Sequence, residues 1–354
     1  KQNFPEVQVI DVATATVSAR ELERARLGSE WHTIHTYASE GDYWVNLSLT
    51  TCDGRSGRAE EWIAAYVLSG IIYVDSDASG ANNGRTWADA YADLQAALQD
   101  ATYGYQIWVA EGTYKPTSES SPGDPRSVSF QMKNNVAIHG GFDPSGGDIA
   151  WEDRDWVNNP AILSGDIGTV GNTSDNCYHV FYHPGDLTLD SSAIIAGFTI
   201  TGGIANSYID PHYNGGGMYN IRSSPTLINI AFTANAASQG GGIYNSSYSS
   251  PSLTGITFSS NSASQGGGIY NSSYSNPTLI DVTFSANTAI FGGGGMYNSY
   301  SSPSLTDVTF FANSAIDGGG MNDYGSSPIL TNVTFSTNLA EYNGGGMFNS
   351  NQRR

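Results

Sequence analysis

From residue 214 onward the apolar positions repeat with a period of about 26 residues. Prolines mark the register at Pro225, Pro251, Pro277, Pro303 and Pro328, spaced 26, 26, 26 and 25. Two residues after each stands Leu227, Leu253, Leu279, Leu305 or Leu330. Five after stands Ile230, Ile256, Val282, Val308 or Val333, and seven after stands Phe232, Phe258, Phe284, Phe310 or Phe335. The +5/+7 alternation is that of a strand with one face turned inward. Ten after comes Asn235, Asn261, Asn287, Asn313 or Asn338. A glycine run and then Met218, Ile243, Ile269, Met296, Met321 or Met347 follow.

Such a period is too short for a strand–helix–strand unit, but three short strands joined by three bends fill it. Each coil would then pair with its neighbours roughly 4.8 Å above and below. Like residues would stack as ladders, Phe on Phe inside and Asn on Asn at a turn. Glycines would sit where a Cβ would clash. The expected fold is therefore all-β: a right-handed parallel β-helix over residues 71–354, with its regular repeats at 214–354. Calcium-binding nonapeptide repeats need Asp after G-G-x-G. Met, Ile or Tyr follow here, which excludes that reading.

Upstream the pattern continues less regularly. Val136–Phe142 and Ala161–Asp166 read as strand-and-turn coils, whereas residues 143–159 and 166–176 read as loops leaving the solenoid. Phe198 and Phe232 lie 34 apart, an insertion of eight residues around Tyr208–Tyr213. Ala88–Asp100 reads as a helix with Tyr91, Leu94 and Leu98 on one face, between strands Ile71–Val74 and Gln106–Val109. It is well placed to cap the solenoid.

The chain has 354 residues and a net charge of −19, which argues against nucleic acid and anionic membranes as partners. The acidity sits in the first 213 residues. Beyond Asn214 only Asp281, Asp307, Asp317, Asp323 and Glu341 face Arg222, Arg353 and Arg354, and the coils are rich in Ser, Thr, Asn and Tyr. Two cysteines, Cys52 and Cys177, do not make a disulfide scaffold, and whether they pair is open. No apolar run is long enough to span a membrane. The first residue is Lys1 and no signal peptide is recognisable, as expected of a trimmed extracellular or cell-surface chain.

Ile72–Asp77, Gly84–Ala90, Ile107–Pro116 and the Gly-Gly-Gly-Met-Tyr-Asn coils resemble bacterial surface proteins of the pectin-lyase-like β-helix superfamily. The Phe-x-x-Asn and Gly-Gly-x-Ile/Met pairing is similar to the repeats of chlamydial polymorphic outer-membrane proteins. The resemblance covers residues 71–354. It implies adhesins and surface proteins first, and polysaccharide lyases and hydrolases as the alternative. Within residues 1–70, His35–Leu49 resembles the late strands of a PKD-type immunoglobulin-like domain, so a small Ig-like β module is expected there. The W-x-F-G-D-G segment of that family is absent.

Candidate chemistry is sparse. Asp281 and Asp307 share one rung position with Asn229, Gly255 and Asn332, and no Lys or Arg accompanies them. Loop acids cluster at Asp148, Glu152, Asp153 and Asp155, and at Asp166 with Asp175. A catalytic carboxylate pair or a bound Ca²⁺ there is an alternative to plain solvation. The six histidines show no H-x-x-x-H zinc pattern on a helix. No catalytic residue, no metal ligand and no cofactor is assigned. Tyr244, Tyr270 and Tyr297 along one edge, and Tyr248, Tyr274 and Tyr300 at the following turn, are the candidate binding surface, suited to sugar faces or another protein.

These readings converge on a structural or adhesive solenoid that associates with itself head-to-tail as a homo-oligomer or filament. Its last coil carries no visible cap, and Val7–Val17 is an alternating segment free to pair. A polysaccharide-binding or polysaccharide-degrading β-helix is the alternative.

Overall fold

The computed structural model describes residues 70–147 and 149–350, together with the strand backbones of the first 69 residues. The chain forms two compact units, residues 1–69 and 70–354. In the first, Gly41–Thr50 is the middle strand of an antiparallel three-stranded sheet with Glu6–Asp11 and Ser56–Ala65. Ala25–Leu27 pairs with Glu30–His32. Glu6–Asp11, within the segment expected to be free to pair, has Gly41–Thr50 along one edge, with Asp11 opposite Val45. Among the described residues these strands make one sheet and one hairpin, and the Ig-like reading remains an expectation.

The second unit is a right-handed parallel β-helix, the hand that parallel crossovers take. Three sheets run along it. The first starts at Ile71–Val74 and passes through Gln106–Ala110, Ala137–Phe142, Ile194–Thr201 and Thr226–Thr233 to Ile329–Thr331. The second runs from Phe181–His183 to Met347–Ser350, and the third from Ile204–Ala205 to Leu339–Asn343. Every pairing between described strands of this unit is parallel, and the register shifts only at Val109–Ala110 in the first sheet and at Ala263–Gln265, Thr288–Gly292 and Ala315–Asp317 in the third. Ile72, Ile107, Ile138, Ile195, Leu227, Leu253, Leu279, Leu305 and Leu330 form one unbroken row.

The Phe ladder points inward. Phe232, Phe258, Phe284 and Phe310 have no solvent exposure. Successive rings from Phe232 to Phe335 stack with centroids 5.1, 4.8, 4.6 and 4.8 Å apart and planes within 9°. Asn235, Asn261, Asn287 and Asn313 are buried beside them. Each Nδ2 donates to the next Asn Oδ1, ending on Asn338, and to a main-chain carbonyl of the preceding coil. Each Oδ1 from Asn261 on also accepts the backbone N–H of the preceding ladder Asn, so the amides of this ladder satisfy one another and the main chain.

The glycine runs have two separate causes. Gly240 turns the chain at φ +66°, whereas a Cβ on Gly242 would lie 2.6 Å from the Gly268 carbonyl and 2.8 Å from the Phe258 ring. The third glycine of each run thus lets one coil sit directly on the next. A further residue is accommodated at Thr288–Gly292, where the third sheet shifts register while the first keeps its own.

The expected helix is shorter than the sequence suggested, Leu94–Asp100. Tyr91 is drawn into a parallel bridge with Val74: its N–H donates to the Tyr73 carbonyl and its carbonyl accepts from Asp75. The Asp93 carboxylate then accepts the N–H of Gln95 and starts the helix. Leu94 and Leu98 join the core beneath Ile72 and Ile107, at the first strand of the sheet.

Candidate functional site

The two tyrosine rows differ from each other. Tyr244 and Tyr270 were expected to be exposed, yet they are buried together with Tyr219, and Tyr297 is half-buried. Their side chains leave the outer face of the second sheet but pack on one another, Tyr219 edge-on to Tyr244 and the later rings stacked. Centroids are 4.9 Å for Tyr219–Tyr244, 5.2 Å for Tyr244–Tyr270 and 5.0 Å for Tyr270–Tyr297. This mutual cover raises their hydroxyl pKa values by burial and makes the row a structural seam rather than a contact surface.

Tyr248, Tyr274 and Tyr300 do face solvent, at 69, 60 and 52 % exposure. Tyr248 and Tyr274 stack at 5.7 Å with planes 15° apart. Their backbones are unusual: φ is +69°, +63° and +50°, the left-handed region. An L residue there loses about 1–2 kcal/mol relative to the right-handed basin. The next coil places Gly325 at the same turn, φ +60°. The preceding coil places Arg222 there, φ +53°. Glycine is thus the relaxed solution for this turn, and three consecutive coils carry an exposed aromatic ring instead.

The acidic candidates are turn-closing groups. Asn229, Gly255, Asp281, Asp307 and Asn332 all have positive φ, between +51° and +65°. Asp, Asn and Gly alternate at that rung because they tolerate this backbone, and Asp281 and Asp307 are exposed. Asp155 accepts from Val157 and Asn158, Asp166 from Gly171, and Asp175 from Thr169 and Asn172. These bonds hold the carboxyls of Asp155 and Asp175 below the usual range. Asp153 accepts from Ala150, Glu152 lies exposed on the same short turn, and Asp148 lies outside the described residues. Among the described residues no three His, Cys, Asp or Glu side chains converge to hold a metal ion.

Cys177 is buried, its thiol pushed up to about 12 by burial and donating to the His179 carbonyl; Cys52 lies outside the described residues. A groove of about 410 Å³ on the third sheet is lined by Ile290, Ile316, Leu339 and Glu341 among others. It brings no convergent polar set together.

A second buried polar row escaped sequence reasoning, although it shares the same period. His183 Nδ1 donates to Asn220 Oδ1, then Asn220 to Asn245, Asn245 to Asn271, Asn271 to Asn298, and Asn298 to Asp323 Oδ1. The Met132 N–H donates to His183 Nε2, which fixes the ring proton on Nδ1. Asp323 is fully buried and its other oxygen, Oδ2, has no partner.

No family model matches the chain, and no curated protein does. Among solved structures it is similar to a rhamnogalacturonan lyase, with 12 % identity over 71 % of this chain and 75 % of that one, TM-score 0.32. A pectate lyase gives 14 % identity over 78 and 79 %, TM-score 0.35. The family 28 exopolygalacturonase of Yersinia enterocolitica gives 10 % over 88 and 83 %, TM-score 0.24. Likeness at this level assigns no activity. The fold rests on the chain's own strand register: residues 70–147 and 149–350 form a right-handed parallel β-helix.

Proposed function

We propose that this chain is an extracellular polysaccharide-binding β-helix that contacts its ligand through Tyr248, Tyr274 and Tyr300. The observation that carries this reading is an exposed aromatic row, its first two rings stacked, held on left-handed backbone where glycine would be the relaxed choice. Left-handed backbone also carries Ala234, Ala286 and Ala312 at another turn of the coil, so the distinguishing feature here is the large exposed ring placed on it. Exposed aromatic rings repeated at coil spacing suit contact with successive sugar rings.

Charge narrows the class of ligand. Arg222 is the one cation among the described residues from 214 to 350, against five carboxylates, and the whole chain carries −19. An uncharged polysaccharide fits this surface, whereas a polyuronate would be repelled.

Affinity electrophoresis in gels containing neutral or acidic polysaccharides tests the reading. Retardation by a neutral polysaccharide, abolished in Tyr274→Gly, is expected. Equal mobility of wild type and variant in every gel would refute it. The structural and adhesive reading, with head-to-tail self-association, draws on the same fold. It predicts particle growth with concentration in light scattering, without polysaccharide.

A further inference from the structure

Three side chains from distant stretches meet beside the first tyrosines of the buried row. Ser121 lies in the excursion that follows the strand Gly112–Tyr114. The Glu119–Val128 bridge and the short 3-10 turn Pro125–Ser127 hold that excursion in place. His179 precedes the strand Phe181–His183. His212 belongs to the eight-residue insertion at Tyr208–Tyr213, a departure from the repeat that the sequence marks but does not explain.

Ser121 Oγ lies 3.2 Å from His212 Nε2, His212 Nδ1 lies 3.4 Å from His179 Nε2, and His179 Nδ1 lies 2.9 Å from the Gly215 carbonyl. One carbonyl sets every proton in this chain. The Gly215 oxygen can only accept, so His179 carries its proton on Nδ1 and presents a lone pair at Nε2. That lone pair accepts the Nδ1–H of His212, which leaves His212 Nε2 bare toward the Ser121 hydroxyl. Both rings are buried, at 1 and 5 % exposure, and burial lowers both pKa values, that of His179 to about 3. Each ring is therefore neutral, as this pattern requires. Tyr178 stacks on His212 at 4.5 Å and 19°, and the Arg126 guanidinium lies 4.3 Å over Tyr178, so the base is clamped in plane. Ser121 itself is half-exposed.

The geometry points to a hydrolytic site for carboxylic esters, with Ser121 as nucleophile, His212 as general base and His179 as the positioning residue. Ser121 Oγ bonds to the ester carbonyl carbon while its proton passes to His212 Nε2. The ester C–O bond breaks and the departing alcohol takes that proton. Water then adds to the acyl-serine and gives a proton to His212. The carboxylic acid leaves as that proton returns to Ser121 Oγ. Asp124, Asp210 and Arg126 all act electrostatically on His212, and the Arg126 guanidinium is fixed by the Asn176 and Ile204 carbonyls. His179 stacks on Tyr182, whose ring tilts against Tyr219 at 5.6 Å, so the site adjoins the buried tyrosine seam. The substrate class named is an O-acyl ester on a sugar hydroxyl, and this part alone rests on the proposed polysaccharide binding.

A fluorophosphonate probe tests the site with the full chain, and it needs no polysaccharide. One adduct is expected, on Ser121 by peptide mass spectrometry and absent in Ser121→Ala. Hydrolysis of p-nitrophenyl acetate should fall with it. His212→Gln should slow labelling by about 100-fold or more, the range for loss of a general base. His179→Phe keeps the stacked ring but removes the acceptor, so the pH profile of labelling should shift. A packing role alone would leave that profile in place. No adduct, an adduct elsewhere, or wild-type labelling in Ser121→Ala or His212→Gln would overturn the proposal. Labelling retained in a chain that binds no polysaccharide would overturn the binding reading and leave this one standing.

Discussion

Asp323→Asn should stabilise the protein at neutral pH and remove a pH dependence that the wild type carries. Every other described member of that inner row is an asparagine except the terminal His183, and Asp323 is paired in register with Asn349, so an amide at 323 continues the run. The carboxyl is fully buried, has one donor in Asn298 and leaves Oδ2 unpaired. Desolvation pushes its pKa from 3.8 to about 6, against the lowering effect of the Asn298 bond. The folded state thus holds this proton more tightly than the unfolded one. Its stabilising contribution is complete below pH 3.8 and is lost as pH rises through about 6. At about 1.4 kcal/mol per pH unit, a span of roughly two units is worth about 3 kcal/mol. Urea titrations of wild type and variant at pH 4 and pH 7.5 measure it. The variant should lead by up to about 3 kcal/mol at pH 7.5, and that lead should shrink by most of this amount at pH 4. A wild-type-minus-variant difference that is the same at both pH values would refute the reasoning.

Phe284→Ala, in the middle of the stacked ladder, should cost about 3–5 kcal/mol in a urea melt, whereas Ser259→Ala on the outward face should cost under about 0.5 kcal/mol. Gly242→Ala must push its Cβ against the Gly268 carbonyl and should cost about 1–3 kcal/mol or more by the same measurement. Tyr274→Gly relieves the left-handed backbone while losing a ring contact, so its stability should stay within about 1 kcal/mol of wild type. Its retardation in a neutral polysaccharide gel should nevertheless be lost.

Much of the solenoid was legible because a parallel stack makes each residue its own neighbour. One period, seen in Pro, Leu, Phe and Asn alike, states the register of the main sheet, and the register states the fold. Exposure was less legible. Tyr244 and Tyr248 are four residues apart and both recur with the coil, yet one is covered by its copies and the other is not. The difference is the left-handed turn at Ser247–Tyr248, which no periodicity reveals. The helix start was misplaced for a similar reason: the Tyr91 bridge is a tertiary contact, and alternation in Ala88–Ala92 does not encode it. The Ser121–His212–His179 set was invisible because its members lie 91 and 33 residues apart in the least repetitive part of the chain.

The side-chain ladders also give the coil stack an electrical direction. In the inner Asn row, in the Asn235–Asn338 row and in the Gln239–Gln265 pair, each amide donates toward the next coil and accepts from the one before. Their dipoles add head to tail, with the positive end pointing along the chain. The one acidic member, Asp323, stands at that positive end, and the row's imidazole stands at the other. The two ends of the axis are therefore not equivalent to a charged group. A carboxylate placed at Asn220 would meet the His183 donor on one side but force Asn245 to reverse, and every amide beyond it would have to turn as well.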